Sequence, residues 1–496
     1  MRYLIALLWL VIFTKKLFFW VYLWQLKEYH IARFLDHFRT HKGKRLIFNY
    51  LILVKILMLL GIILSARRGW TDIKFDLVYF TALLFFLEAV FAIKSLASGA
   101  LKKPALTKKV LTILNTGISF GILMIFFAFL MEFRLTKFTA LFLLLDILAP
   151  IIFSSIVLAF QPLVVILMNR LIAKAKKRRG VFPNLLVVGI TGSYGKTSTK
   201  EFLAAILSEK FNVLKTKEHH NSEVGISQCI LDELNKDHQI FICEMGAYNR
   251  GGIKLLCDIV KPKIGVLTGI NEQHMATFGS QENIIKAKYE LTDSLPQDGV
   301  AFFNGKNKYC QELYDQTKIK KFLYGQDAKV FGEENLLGAM AVAKELGITD
   351  EEISNAVAKI ENRLPGIVKR QGVDGLMVFD ATFSANPDSV IGHLEYLKAL
   401  PGKKIIVMPC LIELGKASKE VHQRIGRKIA EVCDLAIITS RDKLKEIQET
   451  ANGKAIFMDN PQAIFDKIKS TTRPGDMVLL ESRVPITLTS FLVLTD

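Results

Sequence analysis

Roughly the first 170 residues consist of long apolar runs parted by short basic loops, and the remainder alternates short apolar runs with amphipathic stretches. Five apolar segments stand out, roughly 3–25, 46–65, 76–98, 110–132 and 139–169. Each reaches the about 20 residues a helix needs to cross a bilayer. No small-residue cleavage site follows the first, and further spans do, so it reads as an anchor and not a leader. Lys15 and Lys16 interrupt it, which also fits a helix lying in the membrane interface. The last segment holds Asp146, Pro150 and Pro162, so a kink or break is expected there. Lys55, Lys94 and Asp146 read as packing, snorkelling or span-end residues. No repeated half and no pair of interrupted helices marks a transporter.

The net charge is +18, and its placement carries more information than its size. Lys27, Arg33, Arg39, Lys42, Lys44 and Arg45 lie in the loop 26–45, and Lys102, Lys103, Lys108 and Lys109 in 99–109. The exit at 170–180 adds Arg170, Lys174, Lys176, Lys177, Arg178 and Arg179. The alternate loops are poorer, with Arg67, Arg68 and Lys74 in one and Arg134 and Lys137 in the other. The positive-inside bias therefore predicts a multi-pass protein of the cell membrane, its N-terminus outside and everything after residue 170 in the cytoplasm. Basic flanks point to membrane lipid as a partner, and nothing resembles an RNA-binding or zinc-finger pattern, which argues against nucleic acid. The six cysteines, from Cys229 onward, include no CxxC and are expected to be reduced and buried.

Behind a basic linker at 171–182, residues 185–190 form an apolar strand-like run. Thr191, Gly192, Ser193, Tyr194 and Gly195 are turn-prone, and 201–207 read as a helix with Phe202, Leu203, Ile206 and Leu207 as its apolar face. Strand, tight turn and helix are the setting of a phosphate-binding loop. Its backbone N–H groups and the helix N-terminus face phosphate oxygens. In this pattern Lys196 reaches the outer phosphates and the Thr197 hydroxyl, followed by Ser198, takes Mg²⁺. The strict pattern has glycine five residues before Gly195, where Ile190 stands.

The variant TGSYGKTSTKE resembles the Mur ligase family, ATP-dependent amide ligases of cell-wall synthesis related to folylpolyglutamate synthetase. The likeness runs over about residues 183–490 in ordered elements. Asn221-Ser-Glu-Val-Gly225 is similar to N-N-x-x-G, and Glu244-Met-Gly-Ala247 to the E-x-G-A strand end. His274 with Phe278-Gly-Ser280 resembles H-x-x-x-F-G-S, and Lys286-Ala-Lys288-Tyr-Glu290 resembles K-A-K-x-E. Asp380 through Ser389 is similar to D-x-S-Y-N-A-N-P-x-S. Ile412-Glu-Leu-Gly415 with His422 follows the branch that adds D-alanyl-D-alanine. The resemblance implies that Lys196, Glu244, His274 and Lys288 are the catalytic set, with Thr197, Glu244, His274 and a carbamylated Lys288 around Mg²⁺. It implies ATP contacts at Thr191, Gly192, Ser193, Gly195, Lys196, Thr197, Ser198, Asn335, Asp380 and Asn386, and a substrate contact at Asn221.

The family pattern also breaks. The membrane segments stand where the family has its UDP-sugar domain, and the central domain is short, since 327–335 lead at once into a helix at 336–346. Only Asn335 remains of H-N-x-x-N, and Ile367 replaces the arginine of P-G-R, with Lys369 or Arg370 as nearby substitutes. Met408-Pro-Cys-Leu411 replaces G-D-M before E-L-G, and Leu480-Glu-Ser-Arg483 replaces K-G-S-R.

The expected fold is a membrane α-helical domain over 1–170, a P-loop α/β central domain over 183–362 and a Rossmann-like C-terminal domain over 363–496. A helical hairpin is expected at 336–360, and C-terminal strands at 376–379, 404–408, 435–438, 455–457 and 477–480. ATP is expected between the two α/β domains. The expected function is a ligase that adds D-alanyl-D-alanine or a similar amine to a muropeptide carboxylate through an acyl phosphate, the muropeptide being a small molecule or lipid-linked. Three alternatives stay open: a membrane-tethered ligase of the poly-glutamate or folylpolyglutamate type, a membrane NTPase, and an inactive nucleotide-binding scaffold.

Overall fold

The computed structural model describes residues 1–68, 71–217, 220–359, 367–382 and 386–494. They form two compact units, Met1–Leu167 and Met168–Asp496.

The first unit is helical. It contains α1 (Arg2–Leu26), α2 (Ile31–His37), α3 (His41–Ile47), α4 (Tyr50–Arg68), α5 (Thr71–Ala97) and α6 (Lys108–Leu130). There follow α7 (Leu135–Ile147), α8 (Ala149–Ala159) and α9 (Gln161–Gly180), the last extending into the second unit. Its core is aromatic: Trp9 lies 4.5 Å from Phe13 and 4.7 Å from Phe142, and Phe13 lies 4.7 Å from Phe153, between ring centroids. The outer faces are apolar as well, with Leu57, Phe80, Phe91 and Phe126 exposed. A helix apolar all round suits a lipid environment. Arg2–Leu26, His41–Ala66, Phe75–Ala97, Lys108–Leu130 and Ala149–Gly180 are long and apolar enough to cross a membrane, by length and composition.

Two expectations for this unit change. Lys16 does not disturb α1, which is continuous; its ammonium turns inward and donates to Asp146 Oδ1 at 2.7 Å and to the Asp146 carbonyl at 3.2 Å. Of the readings open for Lys55 and Asp146, packing holds and snorkelling does not: both are fully buried, and Lys55 Nζ donates to Asp146 Oδ2 at 2.6 Å while also pairing with Glu88. Lys94 is exposed in the last turn of α5, a span-end position. The expected break in the final segment is double. Helix α7 ends before Leu148 and α8 before Phe160, each two residues ahead of a proline. Pro150 has no N–H for the carbonyl four residues back. That carbonyl belongs to Asp146, and Lys16 supplies the missing donor.

The second unit holds two six-stranded sheets among the described residues. The first contains β1 (Leu186–Thr191), β2 (Val213–Lys215), β3 (Ile240–Glu244), β4 (Ile264–Leu267), β5 (Val300–Asn304) and β6 (Lys320–Tyr324). Their order is β2-β3-β1-β4-β5-β6, all parallel. Between and after them run α10 (Lys196–Leu207), α11 (Glu223–Asp232), α12 (Gly252–Val260), α13 (Met275–Phe278), α14 (Gln281–Asp293), α15 (Lys308–Gln316), α16 (Glu333–Glu345) and α17 (Asp350–Lys359). The central strands are buried on both faces, so they appear in the sequence as unbroken apolar runs.

The second sheet contains β7 (Val368–Gln371), β8 (Met377–Ala381), β9 (Lys404–Met408), β10 (Leu435–Ile438), β11 (Ala455–Phe457) and β12 (Met477–Glu481). Its order is β11-β10-β9-β12-β8-β7, with β7 antiparallel to β8. Its helices are α18 (Pro387–Lys398), α19 (Ser418–Val432), α20 (Leu444–Gln448), α21 (Pro461–Thr471) and α22 (Ile486–Leu492).

The stretch read as a basic linker is helical as far as Gly180, and Ile172 and Ala175 are buried in the core of the second unit. Arg179 donates to the carbonyls of Val260, Phe182 and Leu185. The expected boundary at 362/363, Pro365-Gly366 of the P-G-x motif and 383–385 of the D-x-S-Y-N-A-N motif lie outside the described residues. All six cysteines are free and buried.

Candidate active site

Strand order turns back on itself around β1, and in a parallel sheet such a point opens a crevice at the carboxyl ends of the strands. The phosphate loop follows β1 there. Helix α10 begins at Lys196, five residues before the expected start, because its first turn is polar and shows no apolar periodicity. That turn's free N–H groups are the ones an anion takes. Gly195 is left-handed, φ 79°, and a Cβ there would lie 2.2 Å from Asn335 Oδ1. Asn335, on α16, is thereby seated against the loop, and it also accepts the Thr199 hydroxyl at 3.4 Å. Ile190, at the position of the strict pattern's glycine, is a fully buried core residue of β1. Thr191 and Gly192 are buried at the strand end, where Thr191 Oγ1 donates to Met245 O at 3.0 Å. Lys196 Nζ rests on the carbonyls of Gly192 (2.8 Å) and Ser193 (3.4 Å). Ser198 is half-buried beside it.

Glu244, at the end of β3, gathers the polar groups. It accepts the Thr197 hydroxyl on Oε2 and the Asn221 amide on Oε1, both at 3.0 Å. Lys200 Nζ stands 3.3 Å from Oε2. Burial favours the neutral acid, but Lys196, the Asn221 hydrogen bond, Lys200 and Thr197 outweigh it and hold the carboxyl below its ordinary range. Burial also lowers Lys196, against the pull of Glu244. Lys288 is buried on α14 while Lys286 is exposed, as residues two apart on a helix should be. Burial, reinforced by the charge of Lys196, brings the Lys288 amine down to about 7.

His274 follows β4 and is bound through Nδ1 to Glu413 Oε2 at 2.8 Å. Burial lowers its imidazole against the hydrogen bond and charge of Glu413, which raise it; Lys288 and Lys196 act on it too. Lys196 thus acts electrostatically on Glu244, Lys288 and His274 alike, and Lys288 acts on His274, which gathers the four about the loop. The C-terminal domain reaches the loop through Asn386, whose Oδ1 caps α18 and accepts from Asn271 Nδ2 at 3.2 Å. The Asn271 N–H in turn donates to Ser193 Oγ at 3.2 Å. Asp380 is engaged locally instead: its Oδ1 accepts from Thr382 N and Oγ1, and Arg370 Nε lies 3.6 Å from Oδ2. Ile367 is buried, so it offers nothing to a phosphate; Lys369 and Arg370 are exposed on β7.

Sequence reasoning gave no role to Lys200, Glu413 or the Arg424–Glu272 pair. Lys200 had a signal, since it follows Lys196 by four residues and so shares its helix face.

No group of three His, Cys, Asp or Glu side chains able to hold a metal is found among the described residues. The available donors are the Glu244 carboxylate and the adjacent Thr197 hydroxyl, two hard oxygens, with His274 in the same crevice. This set fits Mg²⁺ if Lys288 adds an anionic oxygen, as a carbamate does.

The Mur ligase middle domain model matches residues 190–366, and the model described as Mur ligase, glutamate ligase domain, matches 367–483. The UDP-N-acetylmuramoyl-tripeptide–D-alanyl-D-alanine ligase of Synechocystis sp. is 31% identical over 343 residues, covering 63% of this chain and 74% of that protein. Its Bacillus subtilis counterpart is 28% identical over 341 residues, covering 60% and 72%. Among solved structures, MurF from Acinetobacter baumannii superposes with a TM-score of 0.59 at 24% identity, over 65% of this chain and 80% of that one. MurF from Thermotoga maritima in complex with ADP gives 0.55 at 24% identity, over 65% and 82%. These structures share the fold of the two α/β domains, and the matches together show that the chain belongs to the Mur ligase family.

Proposed function

We propose that the chain is an ATP-dependent amide ligase of peptidoglycan-precursor synthesis that joins D-alanyl-D-alanine, or a similar amine, to a muropeptide carboxylate. The activity named for its relatives supports this, and the ADP of the Thermotoga structure supports ATP as co-substrate. The carrying observation is the Thr197–Glu244 contact at the mouth of the phosphate loop, with Lys196 and Lys200 acting on the same carboxylate and Lys288 within electrostatic reach of Lys196.

The loop N–H groups at the start of α10 bind the phosphates, and Lys196 swings from its carbonyl contacts to the outer ones. The muropeptide carboxylate attacks the γ-phosphorus and ADP leaves, giving an acyl phosphate. The amine then attacks the acyl carbon, loses a proton, and expels phosphate. The cationic lysines offset the negative charge that gathers as two anions meet. Asn221 and Lys200 keep Glu244 ionised and oriented. Lys288, neutral in good part near pH 7, takes up CO₂ and releases a proton to become a carbamate, which turns a repelling cation into an oxygen donor. Thr197, Glu244, His274 and that carbamate would hold Mg²⁺, which would supply charge neutralisation at the phosphates. Asn335 and Asn386, the two residues tied to the loop, complete the ATP site.

The apolar helices root the protein in the cell membrane, with lipid as their partner and the ligase domains on the cytoplasmic side. They also favour a second acceptor class, a lipid-linked muropeptide. The test is phosphate release by the detergent-solubilised chain with UDP-linked or lipid-linked acceptor, each with and without D-alanyl-D-alanine. Release that needs acid and amine together supports the ligase; release from ATP alone supports an NTPase, and no release supports a scaffold.

A further inference from the structure

His274 and Glu413 meet across the two α/β domains, and both have left-handed backbones, φ 64° and 65°. Residues with a Cβ adopt that conformation at a cost, and keep it where their surroundings overdetermine it. The surroundings here are specific. His422 is fully buried and pins the loop that carries Glu413, accepting the Leu411 N–H at 3.0 Å on Nε2 and bonding Ser418 O at 2.5 Å through Nδ1. Gly415, φ 52°, packs its backbone on Met275 and Ala276. The Glu413 carbonyl accepts the Ala276 N–H at 3.0 Å. Arg424 grips Glu272 with two parallel contacts, 3.1 and 3.3 Å, and Asn271 Nδ2 donates to Asp388 Oδ2 at 3.0 Å. The stretch 271–276 of the central domain is therefore held at several points by the C-terminal domain, and His274 is the imidazole it carries.

An ionised carboxylate only accepts, so the Nδ1 bonded to Glu413 bears the proton and Nε2 bears the lone pair. A carboxylate behind an imidazole fixes both tautomer and ring direction. We propose that Glu413 is a positioning residue that couples closure of the two domains to the divalent-cation affinity of the central-domain site. With the domains together, the carboxylate holds the ring with Nε2 bare; with the domains apart, the ring loses that hold and the cation binds more weakly. By linkage, the cation favours closure to the same degree. The inference rests on the ligase reading for the existence of the cation site.

The test uses the full chain in detergent with ADP and Mn²⁺ as the probe, with free and bound Mn²⁺ read by electron paramagnetic resonance. Retained ADP binding confirms that each variant is folded. Glu413→Ala is expected to weaken Mn²⁺ by about tenfold or more, the scale on which such supporting carboxylates act. Glu413→Gln, which still accepts from Nδ1 but lacks the charge, is expected to fall between. Arg424→Met, remote from the imidazole, is expected to weaken Mn²⁺ in the same direction by loosening closure. In turnover the Glu413 variants are expected to raise the cation concentration needed for half-maximal rate and to leave the rate at saturating cation near wild type. Mn²⁺ affinity unchanged in Glu413→Ala overturns the proposal, and affinity unchanged in Arg424→Met overturns the coupling to closure. A wild-type chain that binds no Mn²⁺ beside ADP overturns the ligase reading itself, a distinct result.

Discussion

Lys200 stands 3.3 Å from Glu244, and both side chains are buried. One turn after Lys196 on α10, it is the internal countercharge of the acid that also receives Thr197. Lys200 is one of the groups that hold the Glu244 carboxyl low, so its removal raises that pKa. In Lys200→Met the acidic limb of the pH–rate profile should move to higher pH, because Glu244 protonates sooner as pH falls. Loss of a buried partner should also cost about 3 kcal/mol of stability in chemical denaturation. An unmoved acidic limb would show that Glu244 ionisation does not limit the rate.

Lys196→Ala should lower turnover by about a hundredfold or more, the scale of losing one positioned group that stabilises transition-state charge. Expression and extraction from the membrane should be unchanged, since among the described residues the hydrogen bonds of Lys196 go to loop carbonyls. Wild-type turnover in that variant would remove the phosphate loop from the mechanism.

The Lys288 amine, at about 7, gives a pH signature. Only the neutral amine takes up CO₂, and its fraction grows as pH rises through that value and levels off above it. At fixed dissolved CO₂, reactivation of CO₂-stripped protein should follow that rise and weaken below it. Lys288→Ala should lose the response and recover part of its activity with formate or acetate. Full activity without either would make Lys288 an ordinary lysine.

In the helical unit, Asp146 carries two lysines. Asp146→Asn should lower the thermal midpoint in detergent, since leaving Lys55 buried and underpaired costs about 3 kcal/mol or more. The proline gives a sharper check. Pro150→Ala restores an N–H for the Asp146 carbonyl, so Lys16→Met should be less costly in that background than in wild type. Equal costs in both backgrounds would mean that Lys16 does not serve the break.

The runs 404–408 and 435–438 coincide with β9 and β10, because strands buried on both faces write themselves as contiguous apolar residues, and 455–457 coincides with the half-buried edge strand β11. The start of α10 was hidden because the residues that open it serve an anion and not the core. Pairs such as Lys16–Asp146 and His274–Glu413, 130 and 139 residues apart, were hidden for another reason. Periodicity reports which face a residue occupies, and it carries no information about which distant face it meets. The motifs brought Glu244, His274 and Lys288 into view, but the pairing of Lys200 with Glu244 and of Glu413 with His274 came only with the fold.

The most direct measurement follows oxygen. If the acid is activated as an acyl phosphate, one oxygen of the muropeptide carboxylate leaves with the phosphate. With heavy-oxygen label in that carboxylate, mass spectrometry should find one labelled oxygen in the phosphate released per amide formed. Unlabelled phosphate, or phosphate released without amide, would contradict the account.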